Sequence, residues 1–158
     1  MNATANGRTQ LQHFIYVMCD RVYRQLGPSH SEAVYQKALH YELMSQGIMT
    51  EMEKHLDVNY VDSRGNSHNI TSDRIDIFIH QDTNSVLPEL AAGPIFLELK
   101  AVSKQPNEIE FEQVNKYIRE LYQKNIRVNY GILVNFPQPT RQNVGNSIDF
   151  HIISSNYN

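Results

Sequence analysis

Asp76 in one β-compatible run and Glu98-Leu99-Lys100 in the next are the residues whose types and spacing point most directly to chemistry. Strand side chains alternate between faces, so Glu98 and Lys100 share one face, which Asp76 can share from the neighbouring strand. Two carboxylates on adjacent strands offer hard oxygen ligands to a divalent cation such as Mg²⁺ and leave positions for water and a phosphate oxygen. Lys100 reaches the same cleft, where it can orient an attacking water or offset charge on the phosphate. Together they suit metal-assisted hydrolysis of a phosphodiester. An acid-x-base pattern on an exposed sheet face also makes ordinary solvated cross-strand pairs. What favours a site is that Ile95, Phe96, Leu97 and Leu99 are apolar, so the strand reads as buried on both sides and its charges require a partner or an ion.

Glu32 has two readings that its neighbours leave open. Ser29-His-Ser-Glu32 forms a capping-box pattern, in which the Glu side chain returns to the Ser29 amide. Alternatively, Glu32 points from the start of a helix into the cleft as a further metal or water ligand. Gln113 and Tyr117 stand four apart on a helix, hence on one face, and can meet a ligand together: an amide for a phosphate or water, a phenol for a nucleotide. The plainer account is the polar shoulder of an amphipathic helix. Lys116, Arg119, Lys124 and Arg127 follow, but Glu108, Glu110, Glu112 and Glu120 dilute them into a solvated face.

These residues require elements to hold them. Leu11, Phe14, Ile15, Met18, Val22 and Leu26 recur at three- and four-residue steps, predicting a helix over Thr9 to Leu26 that Gly27-Pro28 ends. A second helix is expected from Ser31 to Gln46, with Val34, Ala38, Leu39 and Leu43 inward and Gly47 at its end. Ile48 to Val61 and Asn69 to His80 read as a hairpin around Asp62-Ser-Arg-Gly-Asn-Ser67, with Ile75, Ile77 and Ile79 on one face of the second strand. A loop from Gln81 to Gly93 leads to a strand over Pro94 to Val102. A helix from Pro106-Asn107 to Lys124 follows, with Val114, Ile118, Leu121 and Tyr122 as its buried stripe. Arg127 to Phe136 and Ile148 to Ile153 close the chain as strands. Three strands, a crossover helix and a further strand predict an α/β architecture, a mixed sheet flanked by helices.

The chain has 158 residues, 41% of them hydrophobic and 20% charged, which suits one compact domain over 1–158 and excludes a disordered or low-complexity protein. A net charge of −3 argues against stoichiometric packaging of nucleic acid, but not against an enzyme that reaches phosphates through a metal. No apolar run approaches the roughly 20 residues of a membrane span, and Met1 to Gln10 is polar, so no membrane association and an intracellular setting (cytoplasm or nucleus) are expected. The lone cysteine, Cys19, reads as a buried thiol. Phosphate-loop, dinucleotide-binding and nucleophile-elbow patterns are absent, as is paired Cys or His spacing for zinc.

In this order, Glu32 on a helix, Asp76 on a strand, Glu98-x-Lys100 on the next and Gln113-x-x-x-Tyr117 on a following helix resemble the PD-(D/E)XK nuclease superfamily. More narrowly, Gly27-Pro-Ser-His-Ser-Glu32-Ala-Val-Tyr35, Arg74-Ile-Asp76, Phe96-Leu-Glu98-Leu-Lys100-Ala and Gly131-Ile-Leu-Val-Asn-Phe136 look like its GxxExxY family. The resemblance covers about Leu26 to Phe136 and implies a restriction-endonuclease-like αβββαβ core; residues 1–8, outside it, are expected to be flexible. It implies that Asp76 and Glu98 hold Mg²⁺ or Mn²⁺, that Lys100 assists the water, that Glu32 supports the metal shell and that Gln113 and Tyr117 line the cleft. The expected activity is metal-dependent nuclease action on nucleic acid, DNA rather than RNA; the alternative is a catalytically inactive binding or assembly subunit on the same fold. Small enzymes of this kind often form a homodimer, though no residue here fixes the oligomeric state. Ser29 stands where the family's glycine is expected, the Gln81 to Gly93 stretch is longer than the usual tight turn, and Asp73 is the alternative ligand to Asp76.

Overall fold

A computed structural model describes residues 7–140 and 147–157. Helix α1 (Gln10–Leu26) starts at Thr9, whose hydroxyl accepts from the Gln12 amide while the Gln12 side chain accepts from the Thr9 amide, a closed capping box. Gly27, at φ 73°, ends it in a conformation that costs glycine nothing. Helix α2 (Glu32–Ser45) runs into the hairpin of β1 (Thr50–Val61) and β2 (Ser67–Ile79). Then come α3 (Pro88–Ala92), β3 (Ile95–Lys100), α4 (Glu108–Gln123), β4 (Tyr130–Asn135) and β5 (Asp149–Ser154).

The five strands form one mixed sheet in the order β1-β2-β3-β4-β5; α4 provides the crossover between the parallel pair β3 and β4, and the other pairs are antiparallel. The expected α/β architecture is therefore the observed one. Alternation along β3 decides its layering: Ile95, Leu97 and Leu99 join the α1 and α2 core, with Leu39 and Leu43, whereas Phe96 joins Val114, Ile118 and Leu121 of α4 on the other face. A Cβ on Gly131 would lie 2.6 Å from the Phe96 ring and 2.7 Å from Val114, so a bare backbone here is what lets α4 lie this close to the sheet.

Several expectations are corrected. Val34 is exposed and Tyr35 and Gln36 point inward instead, because α2 faces the sheet with a stripe one residue further on. On α4, Tyr122 lies at the surface, stacked on Tyr157, and Tyr117 takes the buried place against Phe96. The Gln81 to Gly93 stretch contains α3, opened by Pro88 and anchored by buried Leu90. Ile75 does not share the face of Ile77 and Ile79: it packs with Leu56 and Phe78 on the α4 side. Of residues 1–8, expected to be flexible, 1–6 lie outside the described residues, and Arg8 sets its guanidinium 4.0 Å from the Tyr16 ring centroid. No described helix is long and apolar enough to cross a membrane.

Candidate active site

The displacement of Ile75 marks a break in β2 at Asp76. Only Ile77, Phe78 and Ile79 pair with β3; beyond Ile77 and Leu97 the two strands separate. Asp76 sits in the fork, and its Oδ2 accepts the Leu99 amide at 2.7 Å, standing in for the missing strand partner. Opposite it on β1, Glu53 has φ 57° and drops out of the ladder between the pairs Met52–Ile77 and Lys54–Ile75. Gln36 of α2 donates to the Asp76 carbonyl at 2.7 Å and to Glu53 Oε1 at 3.1 Å, tying the helix to both sides of the break.

Glu98 lies across the fork, only 3% exposed. Its carboxyl stands beside that of Asp76, and two carboxyls so close disfavour each other's ionisation. Glu98 Oε2 is buried and has no hydrogen-bond donor. Burial, with Asp76 next in weight, pushes Glu98 up to about 9, while Lys100 opposes the rise. Asp76 is also raised by burial, and the Leu99 amide holds it back.

Lys100 follows Glu98 on the same face as alternation requires, its Nζ 3.7 Å from Glu98 Oε1. The ammonium also donates to Gln113 Oε1 at 3.2 Å, and Gln113 Nε2 donates to the Tyr117 hydroxyl at 3.0 Å. The Gln113 and Tyr117 pair thus faces the fork as one unit. Burial first, then the charge of Glu98, raises the Tyr117 phenol, which stays protonated.

Glu32 opens α2, but the capping box is not made. The N-cap is Ser31, without a side-chain bond, and Ser29 lies two residues earlier at φ 75°, its amide donating to Gln138 Oε1 at 2.7 Å. The Glu32 carboxyl is raised by burial and then by Asp76, relieved by Lys100, so it faces the same field. Asp73, the alternative ligand, is engaged elsewhere: Lys116 Nζ is 3.2 Å away, and Asp73 lies close enough to Glu120 of α4 to help raise that carboxyl.

Gln36 and Glu53 join the site without belonging to any of its sequence motifs. Gln36 stands four residues after Glu32, hence on the same helix face, and that spacing was the available signal. Glu53 gave none, because a left-handed residue inside a strand is imposed by tertiary packing.

Among the described residues, no group of three or more His, Cys, Asp and Glu is gathered tightly enough to hold a metal by itself, so Glu32 does not close up with Asp76 and Glu98. The two-carboxylate fork nevertheless fits a hydrated hard cation, which typically keeps several waters and takes one or two protein carboxylates. The buried oxygen of Glu98 without a donor is what such an ion would satisfy. A cavity of about 570 Å³ lined by Lys54, Phe78, His80, Pro94 and Arg127 opens at the opposite end of β3 and shares no residue with the fork.

The sequence profile of the PD-(D/E)XK nuclease superfamily matches residues 9–146, and the chain belongs to that superfamily. Among solved structures, the crystal structure of SSO0001 is similar, at 22% sequence identity and a TM-score of 0.47, over 90% of this chain. This chain spans 66% of that one. A search of curated proteins finds no match.

Proposed function

We propose that the protein is a metal-dependent nuclease that hydrolyses phosphodiester bonds, in DNA rather than RNA, within one nuclease-like domain over 1–158 whose core spans about 26–136. The observation that carries this reading is the pair of facing carboxyls, Asp76 and Glu98, at a fork in the sheet with Lys100 beside them.

Asp76 and Glu98 are the residues that would hold Mg²⁺ or Mn²⁺, which when bound supplies positive charge against the scissile phosphate. Glu32, raised at the same cleft, supports that shell through water. Lys100, fixed between Glu98 and Gln113, directs the attacking water and offsets charge on the phosphoryl oxygens. The water oxygen forms the new bond to phosphorus, the bond to the leaving alcohol breaks, and solvent carries the two proton transfers. Gln113 and Tyr117 hold Lys100 in place and line the cleft against the backbone.

The GxxExxY assignment is supported by Ser29. At φ 75° this is a position that favours glycine, the residue which the motif carries there.

Incubation of single-stranded, duplex and branched DNA, and matching RNA, with Mg²⁺, Mn²⁺ or EDTA tests the reading. Chelator-sensitive cleavage is expected, and Glu98→Gln or Lys100→Ala should lower it by at least about 100-fold with circular dichroism unchanged. Cleavage that persists in both variants, or in EDTA, refutes it. Nucleic-acid binding without turnover in any metal would favour the inactive binding subunit.

A further inference from the structure

The hairpin of β1 and β2 changes faces at one rung. On β2, Ile77 and Ile79 join the α1 and α2 core, but Ile75 joins the α4 core. On β1, buried Thr50 meets His40 of α2, whereas Leu56 joins the α4 core. A regular strand keeps residues an even number apart on one face. Both strands therefore turn over together. The register runs without a slip from Met52–Ile77 to Lys54–Ile75, so the turnover lies at the skipped rung, where Glu53 stands opposite Asp76. Beyond it the two strands continue as an outlying ribbon, paired as far as Val61 and Ser67.

Glu53 is ill suited to that rung. Its φ of 57° is a conformation that glycine or asparagine takes at less cost. Its charge also stands opposite a carboxyl across the strands, where like charges repel. Asp76 and Glu32 are each raised by burial first, and the Glu53 charge adds to the rise at both. The neighbouring lysines are engaged elsewhere: Lys54 lies 3.6 Å from Glu51, Lys100 3.7 Å from Glu98 and Lys116 3.2 Å from Asp73. Nor does the tie to α2 require a carboxylate at this position, since Gln36 also donates to the Asp76 carbonyl. Backbone strain and charge repulsion at one residue point to function rather than folding.

The surroundings of Glu53 indicate which function. Across the fork, Glu98 is 3% exposed and its Oε2 has no donor, a buried lone pair that a cation would satisfy. Gln36 Nε2 bonds Glu53 Oε1 at 3.1 Å and the Asp76 carbonyl at 2.7 Å, which holds the Glu53 carboxylate beside the same fork. Glu53 itself is exposed, and among the described residues no three carboxyls are gathered closely enough to grip an ion directly. A hard cation that keeps several waters meets such an outlying carboxylate through them.

We propose that Glu53 is an outer anchor for the cation at the fork, holding it through water while Asp76 and Glu98 supply the direct ligands. This rests on the proposed function for the cation's place at Asp76 and Glu98.

Calorimetric titration with Mg²⁺ and Mn²⁺, and thermal melts in EDTA, test it on the full chain and on Glu53→Gln, Glu53→Gly and Asp76→Asn. Glu53→Gln removes the charge but keeps an acceptor for Gln36. Both Glu53 variants are expected to lose about 10-fold or more in cation affinity, because affinity follows the number of charged ligands. Their melting temperatures in EDTA should be unchanged or higher, Glu53→Gly the higher, because strain and repulsion leave with the side chain. A purely structural Glu53 gives the reverse, lower melting with cation affinity unchanged, and that result overturns the proposal. Unchanged affinity in Glu53→Gln overturns it even where cleavage is intact and the nuclease reading stands. Cation binding that survives Asp76→Asn lies elsewhere and also overturns it. Weakened cation affinity in a protein that cleaves no nucleic acid supports the anchor and overturns the nuclease reading.

Discussion

Glu98 is where burial and function pull hardest against each other. Its ordinary value of 4.5 rises to about 9 in the folded protein, so folding takes up a proton across that interval. A carboxyl raised on folding contributes stability that is fully present below 4.5 and lost as pH climbs through about 9. In EDTA, unfolding free energy should therefore fall between pH 5 and 9, with a slope approaching about 1.4 kcal/mol per pH unit for one proton. Glu98→Gln, which stays neutral, should flatten that slope; urea melts at several pH values measure it, and an unchanged slope counts against the assignment. Ser29 supplies a second residue-scale prediction. Its left-handed backbone costs roughly 1 kcal/mol, which glycine relieves at some expense in unfolded-chain entropy. Ser29→Gly should leave the melting temperature unchanged or higher, and a loss above about 1 kcal/mol would contradict this account.

At the scale of elements, the decisive feature is β2, which belongs to the sheet from Ile77 to Ile79 and to the ribbon before Asp76. Gln36 maintains the break from the helix side. Gln36→Ala leaves the Asp76 carbonyl without this donor, and should lower stability by about 1–3 kcal/mol and nuclease activity by more than that loss of folded protein explains. Thermal melts beside initial rates at a temperature where the variant is fully folded separate the two effects. The contact of α4 with β4 depends on Gly131. Gly131→Ala should cost about 1–3 kcal/mol, because Phe96 and Val114 cannot both retreat from the new methyl.

For the whole molecule, both cores are built on one strand. Leu97 faces α1 and α2, Phe96 faces α4, and neither layer can be lost while β3 holds. Leu97→Ala and Phe96→Ala should each cost about 2–5 kcal/mol and lower one common transition. Coincident far-ultraviolet dichroism and tyrosine fluorescence melts check this; two separated transitions would break the single-domain account. Divalent cation should raise that transition more at pH 8 than at pH 6, since binding at the fork must displace the proton that the raised Glu98 carboxyl holds.

Much of this was legible in the residue order. Periods of 3.6 and 2 give α1, α2, β3 and α4 because an element that buries one side repeats its apolar residues on that side, and Glu98-Leu99-Lys100 keeps its alternation within the buried strand β3. The same rule fails at Ile75, Tyr122 and Val34, where the side that is buried depends on what another part of the chain places there. Glu32 shows the difference most clearly. Its sequence allows a cap or a ligand equally, and only the meeting of α2 with the broken strand brings it into the field of Asp76. Local spacing settles which side chains can share a face. Where the faces converge is decided by long-range packing, because the left-handed turn at Glu53 and the fork at Asp76 are stable only when helix and strand are both in place.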